Sequence, residues 1–328
     1  MNNNLLPSKK KIVHLDYDVL KIIIKYVDPL NLWMSCKSLS NGELRKDIIY
    51  LCLRGPDALR FYEEEDFRTY IYSRVTNPNK QIFLDLNHYR TITDVSALGN
   101  VHRLDLSYCT NLTDVSALGN VHILNLRGCL GVTNVSALGN VHNLNLSYCR
   151  NLTDVSALGN VYDLNLSNCS NLTDVSSLGN VYILNLAGSN LTDVSSLVNV
   201  NTLNLSFSNI RDVSALGKVH NLNLECCFQI TDVSALTNVH TLNLDGCYQV
   251  TDVSALEKVH DLNLTWCLRI TDVRSLGRVH SLNLSNLEYL TDVSALGNVH
   301  TLNLTGCSSL TDVSALTNVV ELTLPRYS

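Results

Sequence analysis

Val101-His-Arg-Leu-Asp-Leu-Ser-Tyr-Cys-Thr-Asn-Leu-Thr-Asp-Val-Ser-Ala-Leu-Gly-Asn120 decides the architecture, because these twenty residues return with small changes along most of the chain. Cut in this frame, Gln81 to Asn318 gives twelve units, and a partial thirteenth starts at Val319. With Val101 as position 1, apolar residues fall at 1, 4, 6, 12, 15 and 18, and cysteine at 9. Positions 3 to 7 alternate with period two, so Leu104 and Leu106 point inward while 3, 5 and 7 face outward. Identical strands from successive units then pair in parallel. A chain of 328 residues would ordinarily split into two or three domains. Repetition overrides that expectation, since a stacked array grows by adding coils rather than new cores.

The remaining positions read as turn chemistry. Thr113-Asp-Val-Ser-Ala-Leu-Gly-Asn120 is too short for an average helix, and Ser116 is expected to cap a short 3-10 turn over Ala117–Leu118 before Gly119-Asn120 reverses the chain. Position 9 calls for a small buried donor to carbonyls at the bend. Cysteine fills it in eight units; Ser189, Ser208 and Leu287 replace it in three. Asp occupies position 14 in eleven of twelve units, with Asn134 the exception, and reads as a cap onto backbone N–H groups. Asn or Asp at position 5, from Asp85 to Asn303, reads as an amide ladder between coils. Units 181–199 and 200–218 are one residue short after position 9, which predicts a local change of curvature.

This pattern resembles the leucine-rich repeat over about three quarters of the chain, and its return path resembles the convex side of short bacterial-type repeats. The resemblance implies a solenoid with a parallel sheet on its concave face and short 3-10 turns on its convex face, built to bind another protein.

Composition narrows the function. Residues 81–328 hold 11 Lys/Arg and 20 Asp/Glu, a net charge of −9, which argues against nucleic acid as a partner. Met1–Lys11 is polar then basic, with none of the ~7–15-residue apolar run of a signal peptide, and no stretch is long enough to span a bilayer. Asn-x-Ser/Thr sequons at Asn145, Asn165, Asn204, Asn263, Asn283 and Asn303 would crowd glycans onto one strand face. An intracellular protein, cytoplasmic or nuclear, with reduced thiols is expected. Histidine recurs at position 2 in eight units: His102, His122, His142, His220, His240, His260, His280 and His300. With one imidazole per coil and no companion carboxylate or thiolate in the unit, these read as neutral packing residues, and no metal or cofactor is expected. The inward cysteine column lacks the exposure and polarising partner of a nucleophile, so no catalytic residue is assigned and no enzyme is expected.

Binding is expected where coils differ. Positions 3, 7 and 8 face or border the concave sheet, and there Arg103, Tyr108, Arg127, Tyr148, Phe207, Glu225, Asp245 and Trp266 are the candidate contacts, with Phe207 and Trp266 foremost.

The first eighty residues are different: lysine- and isoleucine-rich, without the repeat, and helical in periodicity. After a flexible tail over 1–11, helices are read over Asp16–Val27, from Pro29 to Asn41-Gly42, over Glu43–Leu53, and over 57–75, the last sealing the first coil. Leu15 to Leu32 resembles the F-box through Leu15, Asp18, Leu20, Ile23, Ile24, Asp28, Pro29 and Leu32. It departs from that pattern at Asp16, where proline is usual, and near Cys36–Leu39, where a tryptophan is missing. The resemblance implies an F-box-like module at 12–55, a helical connector and cap at 56–80, and the solenoid at 81–328. It makes the chain similar to F-box/leucine-rich-repeat proteins, also found in large DNA viruses. The implied function is substrate recognition for a cullin–RING ubiquitin ligase, with Leu15, Leu20, Ile23, Ile24, Pro29 and Leu32 binding a Skp-type adaptor and the solenoid holding an unidentified target. The alternative is a binding scaffold with a plain helical cap. Either is expected to be monomeric on its own.

Overall fold

The computed structural model describes residues 50–74 and 81–324. Fourteen strands form a single sheet in sequence order, every neighbour parallel. The first two are β1 (Tyr50–Leu53) and β2 (Gln81–Asp85); strands β3 to β14 are three residues each, from Arg103–Asp105 to Glu321–Thr323. The repeat sets the register. Leu104 pairs with Leu124 and Leu124 with Leu144, so the inward leucines form one spine. Leu104 and Leu106 are almost wholly buried, as are their counterparts in each of the twelve full coils, whereas Leu324 in the terminal partial coil is 41% exposed. The core is a narrow column of Val, Leu and Cys running the length of the molecule.

The return paths match their reading with one correction. Most coils carry a 3-10 turn over Ser-Ala-Leu or its equivalent, as at Ser116–Leu118. Serine is the first residue of that turn and makes no side-chain cap. The cap comes from Asp114, whose Oδ1 accepts the Ser116 N–H at 2.8 Å. A carboxylate two residues back reaches an unpaired N–H at the turn's start, whereas the hydroxyl of the first turn residue lies past it. Asn134 does the same for Ser136 at 3.0 Å, which explains why the amide substitutes freely.

A second correction concerns the start of the array. The helix read over Glu43–Leu53 gives way, in its described part, to strand β1, which pairs with β2 from Tyr50↔Gln81 to Leu53↔Leu84. Tyr-Leu-Cys-Leu is too short for periodicity to separate strand from helix, and the exposed edge of β2 offers a ladder that an isolated helix cannot use. Between β1 and β2 run α1 (Pro56–Glu63) and α2 (Glu65–Arg74), as the helical reading of 57–75 expects. Their Ala58, Phe61 and Ile71 join Leu53 and Leu84 in the core and cover the end of the leucine spine. The F-box-like segment, with Leu15, Leu20, Ile23, Ile24, Pro29 and Leu32, lies outside the described residues. Among the described residues no helix is long and apolar enough to cross a membrane.

Candidate functional site

Three ladders run along the sheet, each from one repeated position. At position 9 the thiols point inward and donate to the position-6 carbonyl of the coil before: Cys129 Sγ to Leu106 O at 3.1 Å, Cys247 Sγ to Leu224 O at 3.1 Å. Burial pushes these thiols up, to about 12 for Cys109, Cys149 and Cys267 and about 11 for Cys169 and Cys227. A thiol held protonated in an apolar column is a donor and packing group, and a poor nucleophile. In the two short coils Ser189 and Ser208 replace cysteine, with buried hydroxyls 3.4 Å apart.

Position 5 works mostly within its own coil. Asp105 Oδ1 accepts the Ser107 N–H at 2.8 Å and Asn145 Oδ1 that of Ser147 at 3.0 Å, fixing the bend after the strand. The inter-coil amide ladder is partial: Asn125 to Asp105, Asn243 to Asn223 and Asn263 to Asn243, each near 2.9–3.0 Å.

Position 2 forms an aromatic column. His102, His122, His142, Tyr162 and Tyr182 stack in sequence with ring centroids 4.7–5.0 Å apart; after Asn201 interrupts it, His220, His240, His260, His280 and His300 continue at 4.5–4.7 Å. Burial and then the charge of the next imidazole pull His102 and His122 below the ordinary histidine range, which keeps them neutral near pH 7. The expectation that no carboxylate accompanies these rings fails in one coil, where Asp261 Oδ1 lies 3.1 Å from His260 Nδ1.

Position 8 carries a signal that the sequence reading missed. In all twelve coils its backbone is left-handed, φ running from 55° at Cys226 to 75° at Gly306. Glycine or asparagine serves six coils at no or low steric cost, yet His88, Tyr108, Tyr148, Phe207 and Trp266 adopt it too. Glycines at 128, 188, 246 and 306, with Asn168 and Asn286, were the available clue; aromatic residues in the same column concealed it. Gly128 has a further reason to lack a side chain, since a Cβ there would meet the Tyr108 ring at 2.7 Å.

The candidate contacts fall into two groups. Toward the amino-terminal end, the Arg127 guanidinium donates to Tyr108 Oη at 2.8 Å and lies 4.7 Å from the centre of the Tyr148 ring, while Tyr108 stacks on His88 at 4.7 Å. Arg103 stands over Phe83 at 4.6 Å and, with Arg54, Asp85 and Asp105, lines a shallow depression of about 820 Å³. Further along, Phe207 is 58% exposed and Trp266 44%, with Phe228 and Tyr248 stacked on each other at 5.3 Å, also at the surface. Phe228 and Tyr248 sit at position 10, which the sequence reading did not single out. Glu225 and Asp245 stand half-buried at position 7, and burial raises the Asp245 carboxyl above its usual range.

No protein-family model and no curated protein sequence matches the chain. Solved structures do. The functional domain of InlJ from Listeria monocytogenes, described as including a cysteine ladder, aligns with a TM-score of 0.55 at 19% identity, over 80% of this chain and 60% of that one. The fold is a leucine-rich-repeat solenoid. The internalin InlF of the same organism aligns at 23% identity and a TM-score of 0.48, over 72% of this chain and 84% of that one. A leucine-rich-repeat protein of Leptospira interrogans aligns at 18% and 0.48, over 71% and 75%. At these identities the likeness is one of fold, and what the solenoid does follows from its own side chains.

Proposed function

We propose that this leucine-rich-repeat solenoid binds a protein partner along its sheet face and along the edge where the strands end, with Tyr108, Tyr148, Phe207 and Trp266 as anchors. The left-handed backbone at position 8 carries this reading. An L-residue there costs on the order of 1–2 kcal/mol against glycine, which neighbouring coils use. Phe207 and Trp266 also leave much of their apolar surface in water, so they contribute little to the core. Large aromatics kept at a strained, exposed position are the usual anchors of protein interfaces. Glycine substitution separates the two roles. The double variant Phe207→Gly, Trp266→Gly should unfold at the same temperature as the parent or higher, because strain is relieved, while recovery of proximity-labelled partners falls at least tenfold. Unchanged recovery sinks the reading.

We propose further that the amino-terminal segment makes the solenoid a substrate-recognition adaptor of a Skp–cullin–F-box type ligase, acting in the cytoplasm or nucleus. Its support is the F-box-like pattern from Leu15 to Leu32, which lies in the segment that precedes the helical connector and the first coil. Full-length protein should co-purify with a Skp-type protein, and Leu20→Asp with Ile24→Asp should abolish this. If the adaptor is not recovered, or is recovered equally with both changes present, the chain is a binding scaffold without a ligase role.

A further inference from the structure

We infer that His240, His260 and Asp261 form a binding site for a divalent transition metal of the zinc class, at the entrance of strands β10 (Thr241–Asn243) and β11 (Asp261–Asn263). One ligating atom from each lies within 4.8 Å of the other two. The parallel register sets this up. Thr241 pairs with Asp261, so the histidine before each strand occupies the same place in adjacent coils, and the rings meet 4.7 Å apart. Two strictly parallel rings aim their nitrogens along parallel lines and cannot share an ion. This pair departs from parallel by 30°, close to the 27° of His260–His280 and the 25° of His102–His122, so the neighbouring carboxylate is what sets it apart.

Asp261 makes this coil different. The eight histidine coils carry Arg103, Ile123, Asn143, Asn221, Thr241, Asp261, Ser281 and Thr301 after the strand-entrance imidazole, so only one has a carboxylate. One oxygen of Asp261 lies 3.1 Å from His260 Nδ1, and the other accepts from Thr241 Oγ1 at 3.4 Å, which holds the carboxylate beside the rings. His220 stacks on His240 at 4.7 Å and His280 on His260 at 4.5 Å, bracing the pair from both sides.

Two imidazoles and one carboxylate are a ligand set for zinc, and for nickel and copper, which bind such sites with at least comparable affinity. Magnesium and calcium prefer all-oxygen shells. Tetrahedral ligands at ~2.1 Å from an ion stand about 3.4 Å apart, so the donors close by roughly an ångström, within reach of side-chain rotation at a partly exposed site, and water fills the fourth place.

The test is calorimetric titration of the untagged full chain with Zn2+ at pH 7.5, with Co2+ absorption reporting coordination number. The expected result is one ion per chain and a tetrahedral or five-coordinate cobalt spectrum. Affinity should fall at least tenfold in His240→Ala and in His260→Ala, and severalfold in Asp261→Asn. His122→Ala is the control: it breaks an equally close stack that lacks a carboxylate, and should leave affinity unchanged. Circular dichroism of each variant verifies the fold. The inference is overturned if zinc does not bind, if His122→Ala weakens binding as much as His260→Ala, or if Asp261→Asn has no effect, since either of the last two means adventitious capture by surface imidazoles.

Discussion

At the residue scale, each repeated side chain has one physical task, and its titration exposes that task. The position-14 carboxylates accept the backbone N–H two residues on and then its hydroxyl, which holds Asp94, Asp114 and Asp154 below the ordinary carboxylate range. Asp272, paired first with the Arg274 side chain, is pushed down to about 2. A depressed carboxylate stabilises the fold above its unfolded value, near pH 4, and that contribution is lost as pH falls through the folded value. Stability should therefore decline progressively below about pH 4. Asp114→Asn should melt like the parent at pH 7, because Asn134 already fills this role, whereas Asp114→Ala should melt measurably lower; thermal unfolding at pH 7 and pH 3 checks both. The thiols run the opposite way. Raised in the fold against about 8.5 when unfolded, they favour the native state fully below that pH and progressively less above it. A maleimide should label Cys226, half-buried at position 8, in native protein at pH 7.5, and reach Cys109, Cys129, Cys149 and Cys169 only when urea opens the coils. Native labelling of those four at the rate of Cys226 would refute the inward column.

At the element scale, the unit of construction is a coil and its seal. α1 and α2 replace the 3-10 return path of the first coil, and Phe61 is fully buried beneath them. Phe61→Ala should cost about 3–5 kcal/mol locally. Contacts in a solenoid are between neighbours, so hydrogen exchange should accelerate in α1, α2, β1 and β2 while later coils keep their protection. Uniform acceleration would mean that the array unfolds as one unit. The Arg60–Glu64 pair at the carboxyl end of α1 is exposed and adds little. Tyr50–Leu53 shows the limit of pattern reading at this scale: it belongs to an irregular coil with no copy to align, and only the open edge of β2 decides that it is a strand.

At the scale of the whole molecule, regularity makes the array modular. Removing residues 141–160 joins position 20 of one coil to position 1 of another and preserves every inward column. That variant should fold with the parent's circular dichroism spectrum and a modestly lower melting temperature. Removing 141–150 instead places polar residues on the spine, and should give an aggregated or unfolded product in size-exclusion chromatography. Surface chemistry, by contrast, varies along the sheet. Arg54, Arg103 and Arg127 lie toward the amino-terminal end, where Asp85 and Asp105 stand among them, and Glu225, Asp245 and Asp261 lie toward the other, so a partner spanning the face meets mixed charge at one end and carboxylates at the other.

The twenty-residue period by itself determined the parallel sheet, the buried leucine spine, the inward cysteines and the carboxylate caps, because each follows from one coil's pattern repeated in phase. Three features waited for the tertiary structure: the strand at Tyr50–Leu53, the left-handed backbone beneath Phe207 and Trp266, and the approach of His240 to His260 and Asp261. The first and third depend on what lies across a strand gap from residues distant in sequence. The second is a backbone state that bulky side chains disguise, and neither is written in the spacing of any single repeat.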